Sequence, residues 1–151
     1  MRVFIPVFAM LTIVACDAAA SPEIDVIVMR RSGSVSEDVT LTSAGVGHYH
    51  RSEPYPAGRS STFQMTQKQF AAFLASLEPY RAKAKRYTRD VKSTCPSEVR
   101  RTLDAGAMYI RWIGPQYNVH FLMDFGCDTE RNPAMNRQMH RTFEQLPLPR
   151  Q

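Results

Sequence analysis

Apolar residues recur along this chain at two different periods, and the places where the period changes mark its elements. Ile24, Val26 and Val28 alternate with Asp25, Ile27 and Met29, so both faces are largely apolar and the segment predicts a central strand. Arg30 to Asp38, with Ser32-Gly33-Ser34 inside it, predicts a turn or loop. Val39 and Leu41 then alternate with Thr40 and Thr42 as a second strand. Beyond the turn at Ser43-Ala44-Gly45, Val46 to Ser52 can pair back as a third. Glu53 to Ser61 carries Pro54, Pro56 and Gly58 and reads as a surface loop.

At Met65 the period becomes helical. Thr66 stands three residues before Gln69, the spacing of a capping box, in which the threonine hydroxyl accepts from the Gln69 N–H and the glutamine side chain returns to the Thr66 N–H. Met65 and Phe70 flank the cap as a hydrophobic staple. Phe70, Phe73, Leu74 and Leu77 follow on one face, and Pro79 predicts the end of the helix. Tyr80 to Tyr87, rich in Ala, Lys and Arg, reads as a second helical piece in preference to a connector, and Val91 to Arg101 as loop.

The strongest hairpin signal follows. Met108, Ile110 and Trp112 alternate with Tyr109, Arg111 and Ile113; Gly114-Pro115-Gln116 turns; Tyr117, Val119, Phe121, Met123 and Phe125 alternate with Asn118, His120, Leu122 and Asp124. A final helix is expected from an Asn132 N-cap and Pro133, with Met135, Met139, Phe143 and Leu146 as its stripe and Pro147 and Pro149 beyond it. The order β-β-β-α-β-β-α, with short antiparallel connections, predicts an α+β fold. It would be an antiparallel sheet of about four to five strands with two main helices packed on one face.

The first residues break this pattern. Arg2 is followed by an almost unbroken apolar run from Val3 to Ala15, too short for a bilayer core of about 30 Å and shaped like a signal peptide. The run ends Ile13-Val14-Ala15-Cys16, which resembles the lipobox of bacterial lipoproteins. The resemblance covers only this leader. It implies a signal peptide over 1–15, lipidation of Cys16, a tether over 16–23 and a single α+β domain over 24–151. It also implies a chain held at the cell membrane by acyl groups and facing the periplasm; Asp17 resembles the inner-membrane retention signal of enterobacterial lipoproteins, but sorting rules differ among bacteria and the choice of membrane stays open. Cleavage after Ala18-Ala19-Ala20 is the rival expectation and would give a soluble periplasmic or secreted protein.

Composition changes this picture little. A chain of 151 residues with 44% hydrophobic and 22% charged residues is ordinary for one globular domain. Without Arg2 the balance is 18 basic against 14 acidic residues, a modest +4 that favours an anionic neighbour. Arg81, Lys83, Lys85, Arg86 and Arg89 concentrate that charge within a few residues, with Tyr80 and Tyr87 interleaved. Such a stretch suits anionic lipid or an acidic envelope partner, or simply a solvated connector. The export signal disfavours nucleic acid.

Candidate chemistry is sparse. If lipid takes Cys16, Cys95 and Cys127 remain in an oxidising compartment and are expected to pair as a disulfide. No Cys-x-x-Cys spacing is present to suggest redox catalysis. His48 and His50 share a face if their segment is a strand, and His120 with Asp124 lies on the polar face of the hairpin. These histidines are weak zinc candidates that would need their strands to be neighbours. His140 reads as a helix-surface residue. No nucleophile elbow and no phosphate-cradling glycine loop is present, so no catalytic residue and no cofactor is implied. The leading expectation is a non-enzymatic cell-envelope lipoprotein that binds another envelope component. The alternative is a secreted or periplasmic metal-dependent hydrolase using His48, His50 and His120.

Overall fold

The structure, a computed structural model, describes residues 24–52, 58–91, 95, 98, 102–127 and 133–148. The expected lipidation site Cys16, the Asn132 cap and Pro149 lie outside the described residues. The elements are β1 (Val26–Ser32), β2 (Ser36–Thr42), β3 (Val46–Ser52), β4 (Arg59–Gln64), α1 (Gln67–Arg81), β5 (Lys85–Arg86), β6 (Ala107–Gly114), β7 (Tyr117–Asp124) and α2 (Pro133–Glu144). The strands form one antiparallel sheet of seven, in the order β4-β3-β2-β1-β6-β7-β5. The α+β class is as expected; the strand number is larger.

The strand that reads as apolar on both faces, β1, is the middle one, paired to β2 on one side and β6 on the other. One phase of the sheet builds the core. Ile27, Met29, Val39, Leu41, Tyr49, Met108, Ile110, Trp112 and Met123 are buried in a single cluster with Phe73, Leu77 and Tyr80 of α1 and Met139 and Phe143 of α2. Both helices therefore cover the same face. None of the described helices covers the other.

The capping box on α1 is present as expected, with Gln69 N donating to Thr66 Oγ1 at 3.3 Å and Thr66 N donating to Gln69 Oε1 at 2.8 Å. The buried stripe is Phe73, Leu77 and Tyr80; Phe70 and Leu74 are only half-buried at its margin. Pro79 does not end the helix. A proline forfeits a backbone donor in the last turn, but Tyr80 is buried there with its ring 5.6 Å from that of Phe121, and that packing carries the helix on to Arg81. Nor is Tyr80 to Tyr87 a second helix: Lys85 and Arg86 lie flat along β7 as the short edge strand β5.

The other added strand, β4, falls where the surface loop was expected to continue. Phe63 is the reason. It lies opposite Gly47 across the β3–β4 pair, and a Cβ on Gly47 would fall inside the Phe63 ring, so the aromatic covers a core position that has no side chain. The β6–β7 hairpin has the expected turn at Pro115–Gln116, with Gly114 opposite Tyr117. Beyond β7, Cys127 meets Cys95 at disulfide distance, with Cα atoms 5.6 Å apart.

Candidate functional site

The face that the described helices leave uncovered can be read row by row from the strand register. Thr62, His48, Thr40, Val28, Arg111, His120 and Lys85 form one row across all seven strands. Ser60, His50, Asp38, Arg30, Tyr109 and Leu122 form the next. His48 and His50 do share a face, above an open hollow of about 540 Å³ bordered by Asp38, Thr40, Ser60 and Thr62. His50 Nδ1 lies 2.9 Å from Ser60 Oγ, whereas Asp38, on the other side of His50, is engaged by Arg30.

His120 is elsewhere. Three strands, β2, β1 and β6, separate β3 from β7, and at 4.7–4.9 Å per strand this places His120 roughly 19 Å from His48. Zinc–nitrogen bonds are about 2 Å long, so His48, His50 and His120 do not converge on one ion. The neighbourhood of His120 is cationic instead. It faces Arg111 on β6 and Lys85 on β5. Burial first, then those two charges, hold its pKa below the ordinary histidine value. Its ring is stacked on Tyr109 and met edge-on by Tyr87, each at 6.0 Å between centroids. Arg111 lies over the Tyr87 ring at 3.5 Å and donates from Nε to Asn118 Oδ1 at 2.9 Å.

The basic stretch does not form one cationic face. Arg81 pairs with Glu78 at 2.8 Å, Lys83 Nζ lies 3.7 Å from Met135 Sδ, and Arg89 is exposed. Lys85 joins the uncovered face, and the strand alternation sends Arg86 to the opposite one, in the row of Trp112 and Val119. The arginine that completes the cationic end, Arg111, comes from the hairpin.

A second charged group lies at the rim of the covered face. Arg31, Glu37 and Arg51 face one another across β1, β2 and β3. Glu37 is only 4% exposed; its carboxylate accepts from Arg31 and, at 2.7 Å, from the Tyr49 hydroxyl. The Arg31 guanidinium lies 4.6 Å from the centre of the Phe143 ring, so the group joins three strands to α2. His140, expected at the surface of α2, is half-buried and stacked on Phe125 at 4.3 Å, because Phe125 continues the core-facing phase of Phe121 and Met123 just beyond β7. Burial, then Arg31, lowers its pKa, with Glu144 opposing. Both Glu37 oxygens have partners, so the arrangement is suited to locking elements together rather than to presenting a free base. A period-two reading could have found it: Glu37 is in phase with Val39 and Leu41, and Arg31 with Ile27 and Met29.

Tyr49 gives this group a measurable signature. Burial, and then the hydrogen bond to and charge of Glu37, push its pKa up to about 12. The folded value is raised above the unfolded one, so the stabilisation is complete below pH 10 and is lost as pH rises through about 12. Ultraviolet titration should show a tyrosine step near 12 that disappears in Tyr49→Phe; a step unchanged by that substitution would place the late ionisation elsewhere.

Among the described residues, no group of three or more His, Cys, Asp and Glu side chains is placed to hold a metal ion. None of the described helices is long and apolar enough to cross a membrane. No protein-family model matches the chain, and no curated protein matches it.

Proposed function

We propose that this chain is a cell-envelope lipoprotein, attached to a membrane through Cys16 and facing the periplasm, whose α+β domain acts as a non-enzymatic binding module. The observation that carries the reading is the pairing of the cysteines. Cys95 and Cys127 lie at disulfide distance, as suits an oxidising compartment, and their pairing leaves Cys16 as the odd cysteine, at the end of the leader's apolar run. A sheet that the described helices cover on one side only supports the binding role. Val26, Val28, Tyr109, Ile113 and Leu122 stand half-buried on the uncovered face, and the cationic end around Arg111 lies beside them. A surface of that kind offers apolar area with a charged margin, the usual composition of a recognition patch.

The tether is tested by substitution. Cys16→Ser should abolish incorporation of labelled fatty acid and move the protein from the membrane fraction to the soluble periplasmic fraction. Wild-type protein that takes up no label, released after cleavage beyond Ala20, would overturn the lipid anchor in favour of a soluble exported form.

A further inference from the structure

We propose that Arg111, His120 and Lys85 form a binding site for a phosphate-type oxyanion on the uncovered face of the sheet, at its β5 end. The three side chains stand in one cross-strand row on β6, β7 and β5, so two strand spacings, roughly 10 Å, span the whole set. Among the described residues neither Arg111 nor Lys85 is paired with a carboxylate; Arg30, in the next row, is paired with Asp38. Two cations flanking an imidazole without a counter-charge repel one another, and an anion seated between them relieves that repulsion.

Arg111 is already oriented for such a ligand. Stacking on Tyr87 fixes the guanidinium plane and Asn118 occupies Nε, leaving the two terminal nitrogens as a fixed pair of donors. Little side-chain entropy is then lost on binding. His120 is held between Tyr109 and Tyr87, and its Nδ1 is buried without a hydrogen-bond partner, so Nε2 is the ring atom left to meet a ligand. Lys85, exposed on a strand of only two residues, supplies a mobile third contact. Donors from three strands match an oxyanion with at least three oxygens better than a carboxylate, which presents two. The source of the phosphate group is either a free phosphate or the head of a lipid.

The site stands on the geometry of the sheet and does not depend on lipidation of Cys16, so its test leaves the anchor aside. The full chain in neutral detergent would be titrated with inorganic phosphate and, separately, with glycerophosphoglycerol as a soluble lipid-head analogue, followed by calorimetry and by the His120 Cε1–H resonance. Saturable binding of either probe is expected, and the stronger probe identifies the source. Arg111→Gln and Lys85→Gln should each weaken binding at least about tenfold, the value of a lost charge-assisted hydrogen bond. Arg30→Gln should not. A bound anion offsets the charges of Lys85 and Arg111 that face His120, whose ring is otherwise packed against Tyr87 and Tyr109; the His120 titration midpoint should therefore rise when ligand is present. If Arg111→Gln does not fold, Lys85→Gln on the exposed edge strand and Arg111→Lys, which keeps the charge but loses the fork, carry the test. Absence of saturable binding by both probes, or equal weakening by Arg30→Gln, would overturn the proposal.

Discussion

Truncation of Phe73 to alanine should lower the free energy of unfolding by about 3–5 kcal/mol, the range for removing a fully buried aromatic side chain. Phe73 is 1% exposed and joins Leu77 and Tyr80 in the stripe by which α1 reaches the sheet. A cavity there weakens the contact between α1 and the sheet. Leu74→Ala is the informative companion. The sequence puts Leu74 on the same apolar face, yet the residue lies half-buried at its edge, and its loss should cost clearly less than that of Phe73. Urea denaturation of the two variants checks both statements. Equal effects would mean that the stripe is centred elsewhere on the helix.

Loss of the Cys95–Cys127 link should have a comparable effect. The two residues are separated by 32 positions, and a loop of that size gives about 3–4 kcal/mol in the chain-entropy treatment. The link ties the end of β7 to the segment that precedes β6, where Thr102 N also donates to Gly126 O at 2.9 Å and Phe125 N to Gly106 O at 3.0 Å. The double variant Cys95→Ala/Cys127→Ala should therefore unfold at a markedly lower urea concentration than oxidised wild type. Reduced wild type should behave like the variant. Identical midpoints for oxidised and reduced protein would show that the cysteines are not bonded.

What could be read in advance was whatever is written locally. The cap at Thr66, the alternation of β6 and β7 and the two-sided apolarity of β1 each lie within one short segment, and each is found in place. The strands that were missed have no such local mark. In β4, Arg-Ser-Ser-Thr-Phe-Gln, Phe63 alone is large and apolar, and its purpose emerges only when Gly47 is seen opposite it. The two residues of β5 are strand solely because β7 offers them a free edge. That second omission hid the cationic end of the sheet: with Tyr80 to Tyr87 read as helix, nothing brings Lys85 to His120 or Tyr87 to Arg111. Pro79 misled for the converse reason, since the burial of Tyr80 outweighs a local stop signal. The histidines reached the expected face, but strand order, which no single segment encodes, set His120 apart from His48 and His50.

The most direct test of an exported, lipid-anchored domain is the intact mass of the protein recovered from the membrane fraction of cells that make it, before and after reduction. Such a domain is expected to begin at Cys16, to carry the added mass of acyl groups, and to gain two hydrogen masses on reduction as the Cys95–Cys127 bond opens. A chain that retains residues 1–15, carries no lipid and has both thiols free would contradict it.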